Sequence, residues 1–168
     1  MTGNIMKITA LEEYGLRCLL QVARHWDQGI SIREISECEG LSIQYVSKIT
    51  SHLKKSGLIQ ATRGVHGGYR LIRKPALITL NDVSRALSDD FFPQNFCSDH
   101  TGKNKACVHE CNCSIRSVWG SIYGVVTSLM EKITLEHLLM NESDIGGHVK
   151  NLVLPITMPF NSNKFKEQ

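Results

Sequence analysis

The sequence has no run of about eighteen consecutive apolar residues, the length a helix needs to cross a bilayer, so no membrane-spanning segment is expected. It does not open on a basic, apolar, small-residue leader. Its six cysteines are therefore expected in a reducing cytoplasm, where disulfide frameworks are rare and thiols serve metals or redox chemistry. No two of them form the Cys-x-x-Cys pair of a zinc knuckle or a thiol oxidoreductase. Acidic residues are missing over one long stretch: there is no Asp or Glu between Gly40 and Asn81.

That acid-free stretch carries seven cations, Lys48, Lys54, Lys55, Arg63, Arg70, Arg73 and Lys74, whereas residues 76–168 hold eight basic and ten acidic side chains. The net charge of +3 thus conceals a polarised molecule. One basic face suits a polyanion, and nucleic acid is the commonest polyanion a cytoplasmic protein meets; a merely solvated basic surface is the alternative. With 168 residues, 42% hydrophobic and 21% charged, the chain can form one globular domain with an appended helical segment.

Leu11, Tyr14, Gly15, Cys18, Leu19, Val22, Ala23 and Trp26 recur at helical spacing, predicting a helix over 10–26 that Thr9 can cap. Cys18 falls on its apolar face and reads as a core residue. Ser31 can cap a short helix from Ile32 to Glu39 that stops at Gly40, and Ser42 a third helix that Gly57 ends. The extended runs Leu58–Thr62 and Tyr69–Arg73, joined by a glycine-rich basic tip, predict a β-hairpin, with Pro75 closing the unit. Thr79–Leu87 should be helical, and residues 89–113 irregular. Ile115, Val118, Trp119, Ile122, Val126, Leu129, Met130 and Ile133 then form one apolar stripe on a long helix, read as a dimerisation helix, with an ordinary core helix as the alternative. Beyond Asn141 no period is evident, and there is no internal repeat.

Helix, turn, helix and hairpin make a winged helix-turn-helix, whose second helix enters the DNA major groove. Ile43, Val46, Ile49 and Leu53 are expected to face inward, leaving Ser42, Gln44, Tyr45, Ser47 and Lys48 outward. Gln44 can bond an adenine edge, Lys48 a guanine or a phosphate, and the three hydroxyls phosphate oxygens. Arg63 in the wing suits a minor groove or its backbone; His66 at the tip reads as solvated.

Cys97, Cys107, Cys111 and Cys113 lie within seventeen residues, in a segment too polar to bury them as core fillers. Such density points to a thiophilic metal. Intervals of nine, three and one residues are compatible with a loop around an iron-sulfur cluster, while zinc and a thiol-disulfide switch stay open.

Met6-Lys-Ile-Thr, Glu13-Tyr14, the third helix, Gly57-Leu58, Arg63-Gly-x-x-Gly-Gly-Tyr69, Ile78-Thr-Leu-x-Asp-Val83 and Cys113-x5-Trp119 together resemble the Rrf family of bacterial regulators, from about Met6 to Leu139. Its IscR-like and NsrR-like members sense iron-sulfur status, nitric oxide or oxidants. The resemblance implies a [2Fe-2S] or [4Fe-4S] cluster on Cys97, Cys107 and Cys113, with Cys111 an extra thiol. The interval from Cys97 to Cys107 is longer than in better-known members, and Arg116 stands where some place a ligating histidine. Others use a carboxylate just before the tyrosine of the first helix, here Glu13; Glu12, Cys111, His109 and His100 compete for that role.

The fold expected is mainly α with a small β wing: a winged helix-turn-helix over 6–88, a cysteine-rich cluster loop over 89–113, a dimerisation helix region over 114–141 and a tail over 142–168. The function expected is that of a cytoplasmic homodimeric regulator, a repressor binding a palindromic double-stranded operator under control of its cluster. A cluster-free thiol-switch or zinc regulator is the alternative. A thiol oxidoreductase lacks its motif, so no enzymatic activity is expected.

Overall fold

The computed structural model describes residues 8–62, 67–87, 101–109 and 112–153. Helix α1, Ala10–Arg24, begins at a reciprocal cap: the Thr9 hydroxyl accepts from the Glu12 backbone N–H and the Glu12 carboxylate accepts from that of Thr9. Ser31 and Glu34 repeat the device at α2, Ile32–Glu39, which ends at left-handed Gly40. Ser42 caps α3, Ile43–Lys55, and Gly57, at φ 74°, turns the chain out of it. These boundaries follow local rules and match the sequence expectation, except that α1 stops at Arg24. Beyond it the chain turns, with Gly29 N–H bonding His25 O, and Trp26 is exposed rather than on the apolar face.

Strands β1, Ile59–Thr62, and β2, Gly68–Leu71, pair antiparallel with Ile59 opposite Leu71 and Thr62 opposite Gly68. Ile30 adds a one-residue bridge, exchanging both backbone hydrogen bonds with Tyr69. A 3-10 turn, Pro75–Leu77, leads into α4, Leu80–Leu87, where Thr79 and Asp82 cap one another. The buried core draws Leu19 and Val22 from α1, Ile35 from α2, Val46, Ile49 and Leu53 from α3, Ile59 and Leu71 from the hairpin, and Val83 from α4. This is a winged helix.

Ile43, expected inward, is 52% exposed. Tyr45, expected outward, is half-buried and packs against the core instead. Both residues flank the stripe formed by Val46, Ile49 and Leu53, and the large ring takes the inward side because α1 offers it a partner.

The long helix α5, Ser114–Lys132, has no buried residue and touches α4. Ile115, Val118, Trp119 and Ile122 are exposed. Ile133, expected on the same stripe, is only 6% exposed and lies past the helix end. There the chain forms an antiparallel bridge with the winged unit, Leu80 N–H to Ile133 O at 2.7 Å and Leu135 N–H to Ile78 O at 2.9 Å, and buries Leu135 completely. A short helix α6, Leu135–Leu138, follows. The expected featureless tail contains α7, Glu142–Val153, whose start Asn141 caps by accepting from Asp144 N–H; Gly146 and Gly147 blur its period.

A Cβ added to Gly68 would lie 2.5 Å from the Ile30 carbonyl oxygen, backbone that cannot swing away. Gly68→Ala is expected to cost about 1–3 kcal/mol by overpacking at the wing base, read as a lower urea midpoint at unchanged slope.

Candidate DNA-reading face and cysteine site

Gln44, Ser47 and Lys48 are exposed at i, i+3 and i+4 spacing, one contiguous patch on the first turns of α3. Ser42 is exposed beside them with its hydroxyl accepting from Tyr45 N–H at 3.2 Å, so its first duty is capping the helix. Lys54 and Lys55 extend the basic surface along the same helix. Arg63 and His66 lie outside the described residues.

The acid-free run divides by role. Arg70 Nη2 donates to Gln28 O at 2.8 Å, lashing β2 to the chain after α1. Arg73 Nη2 reaches Asp82 at 3.4 Å, an exposed pair of small energetic weight. Among the described residues of the run, Lys48, Lys54, Lys55 and Lys74 are exposed and contribute to the positive surface.

Tyr45 was expected to offer its hydroxyl to phosphate, but its ring is set against α1. Its centroid lies 5.9 Å from that of Tyr14 at an interplanar angle of 82°, an edge contact worth about 0.5–1.5 kcal/mol beyond burial. The Arg17 guanidinium sits 5.4 Å from the Tyr14 ring centroid and bonds the Glu39 carboxylate at 2.7 Å, a group only 8% exposed that also accepts from Gln21. Sequence periodicity missed this chain of contacts, because it joins three helices at separations no local pattern encodes.

Of the cysteines expected to bind metal, Cys107 and Cys113 are half-buried free thiols, and Cys97 lies outside the described residues, as do Cys111 and His100. Cys113 is the N-cap of α5: its Sγ accepts from Arg116 N–H at 3.3 Å. A backbone N–H aimed at sulfur orients a thiolate ligand and tunes what it binds. Glu13 is exposed on the first turn of α1, whereas Glu12 is committed to the Thr9 cap. His109 is exposed. Among the described residues no three His, Cys, Asp or Glu side chains converge on one point, so Glu13 is not brought to the two thiols within one chain.

Cys18 is fully buried, and burial, reinforced by the nearby Glu39 carboxylate, pushes its thiol up to about 11. Cys38 is exposed on α2.

Residues 8–141 match the sequence profile of the Rrf2 family, described as an iron-dependent transcriptional regulator. The chain is 34% identical over 139 residues to protein rrf2 of Nitratidesulfovibrio vulgaris, covering 82% of this chain and 90% of that protein. It is 29% identical over 149 residues to the HTH-type transcriptional regulator IscR of Photorhabdus laumondii, covering 87% and 88% of the two chains. The structure of CymR, the global cysteine regulator of B. subtilis, superposes with a TM-score of 0.61 at 27% identity, over 80% of this chain and 96% of that one.

The Cys18 environment sets an expected order of reactivity. At pH 8 iodoacetamide should label Cys38 and leave Cys18 unlabelled in the folded protein, as mass spectrometry of peptides will show. Because the unfolded thiol ionises first, the buried neutral thiol becomes a liability as pH rises. Folding stability should therefore fall between the ordinary thiol range and about pH 11, and Cys18→Ala should remove that part of the fall.

Proposed function

The chain belongs to the Rrf2 family of transcriptional regulators, and from that premise we propose a cytoplasmic homodimeric repressor whose operator affinity is set by an iron-sulfur cluster on Cys97, Cys107 and Cys113. It is a winged-helix regulator and not an enzyme. The observation that carries the cluster reading is Cys113 at the N-cap of the long helix, its sulfur held by a backbone N–H, with Cys107 six residues earlier and likewise half-buried. Soft thiolates in this arrangement fit iron and sulfide chemistry.

When bound, the cluster supplies a redox-active, nitric-oxide-reactive iron. The chain's own part is positional. Glu13 of the partner's first helix would be the fourth ligand, a harder and weaker donor than thiolate whose iron would be the more open to exchange. The exposed apolar stripe of α5 packs on its copy in the dimer. Two α3 helices then meet half-sites about one helical turn apart on a palindromic duplex, where Gln44 and Lys48 reach base edges, Ser42 and Ser47 the backbone, and Arg63 the minor groove. A cluster-free thiol regulator is the second reading, favoured by the likeness to CymR, the global cysteine regulator of B. subtilis.

Anaerobically reconstituted protein should be brown, with iron and sulfide bound. Cys113→Ser keeps a side-chain helix cap but removes the thiolate, and together with Cys97→Ala and Cys107→Ala should abolish the visible chromophore, while Glu13→Ala shifts the spectrum and speeds its loss in air. A colourless parent carrying stoichiometric zinc sinks the cluster reading.

On DNA, Lys48→Ala should weaken operator binding about fivefold to thirtyfold at physiological salt, and Arg63→Ala should weaken it further. Unchanged affinity of both variants for every duplex tested would remove these residues from the interface.

A further inference from the structure

Ile43 is a large apolar side chain left 52% exposed on the first turn of α3, beside exposed Gln44 and one turn before exposed Ser47. Its outward setting is built in. Tyr45 holds the inward flank of α3 through its edge contact with Tyr14, and Tyr14 is itself held by Arg17, which Glu39 anchors from α2. With Val46 and Ile49 fully buried, rotating α3 to tuck Ile43 inward would expose the core and pull Tyr45 off its partner. The helix therefore presents one apolar group among polar ones at the end that enters a major groove most deeply.

Base edges in the major groove offer hydrogen-bonding groups and a single apolar one, the 5-methyl of thymine. From this geometry we infer that Ile43 is a specificity residue that reads a thymine methyl in each half-site, beside the polar contacts of Gln44, Ser47 and Lys48. The inference rests on the reading of α3 as the DNA-reading helix, and no cluster is needed for it. The contact is pure apolar burial. Both partners lose hydrated surface, no hydrogen bond forms, and a cytosine at that position, lacking the methyl, leaves Ile43 facing a polar edge.

Replacement of thymine by deoxyuridine deletes that methyl and leaves base pairing intact, so the contact can be cut from either side. Duplexes are first enriched from a random library with the full-length protein, and each thymine of the enriched site is then replaced singly by deoxyuridine. At one thymine per half-site the parent should bind the deoxyuridine duplex about threefold to tenfold more weakly, the effect expected for burying one methyl group or slightly more. Ile43→Ala should bind the thymine duplex more weakly by a similar factor and show no further loss on the deoxyuridine duplex. Ile43→Val should fall between. Because Ile43 is exposed, the melting temperature of Ile43→Ala should match that of the parent, which separates a lost contact from a damaged helix.

Additive effects of the protein and DNA changes at every thymine, or an enriched half-site with no thymine, would overturn the inference. So would equal loss by Ile43→Ala on enriched and random DNA. A parent that enriches no sequence at all instead overturns the DNA-reading assignment of α3, and the role of Ile43 falls with it.

Discussion

Two backbone hydrogen bonds, Leu80 N–H to Ile133 O and Leu135 N–H to Ile78 O, hold the far end of the long helix to the winged unit, and the placement of that helix depends on them. They let Leu135 enter the core with no exposure while α5 contributes no buried residue of its own. The helix touches α4, and Val126, Leu129 and Met130 are half-buried, while Ile115, Val118, Trp119 and Ile122 toward its start stay exposed. At 19 residues α5 is about 28 Å long, so Cys113 sits a full rod away from the point of attachment. The bridge fixes one end of the rod, and the cysteine segment meets the other.

The reading helix is constrained by a different route. Its rotation is set by the ring contact of Tyr45 with Tyr14, and Tyr14 in turn belongs to a helix tied to α2 through Arg17, Gln21 and Glu39. The residue directly before Tyr14 is Glu13, exposed on the same turn of α1. One helix therefore carries, on neighbouring residues, the ring that positions α3 and the carboxylate proposed for the cluster.

What could be read from the sequence divides along the line between local and tertiary forces. The caps of Thr9, Ser31 and Ser42 and the left-handed turns at Gly40 and Gly57 obey rules that span three or four residues, and the helix boundaries they set were readable. The side taken by Ile43 was not, because periodicity placed it and Tyr45 on opposite flanks of one stripe, and only the presence of Tyr14 decides between them. Ile133 fitted the apolar spacing of α5 and still left it, drawn into a bridge with residues more than fifty positions earlier. The density of cysteines pointed to a metal and the family resemblance to a ligand set, yet the completing group depends on chain placement that spacing does not encode.

Charge shows the same division. Counting cations located a basic region, but two of the seven, Arg70 and Arg73, are spent on the wing base and on Asp82. Among the described residues, the exposed lysines of the run, Lys48, Lys54, Lys55 and Lys74, lie on α3 and just before the 3-10 turn. The thiols are sorted likewise: identical in composition, they differ in what surrounds them. Cys18 is held neutral by burial, and Cys113 has its sulfur already facing a backbone N–H. Serine, threonine, asparagine and aspartate cap helices better than cysteine does, and Asn112 and Ser114 flank this one. A thiol at that position gives up capping strength, and what it retains in exchange is the one property the better caps lack, a soft sulfur fixed in orientation at the end of the rod.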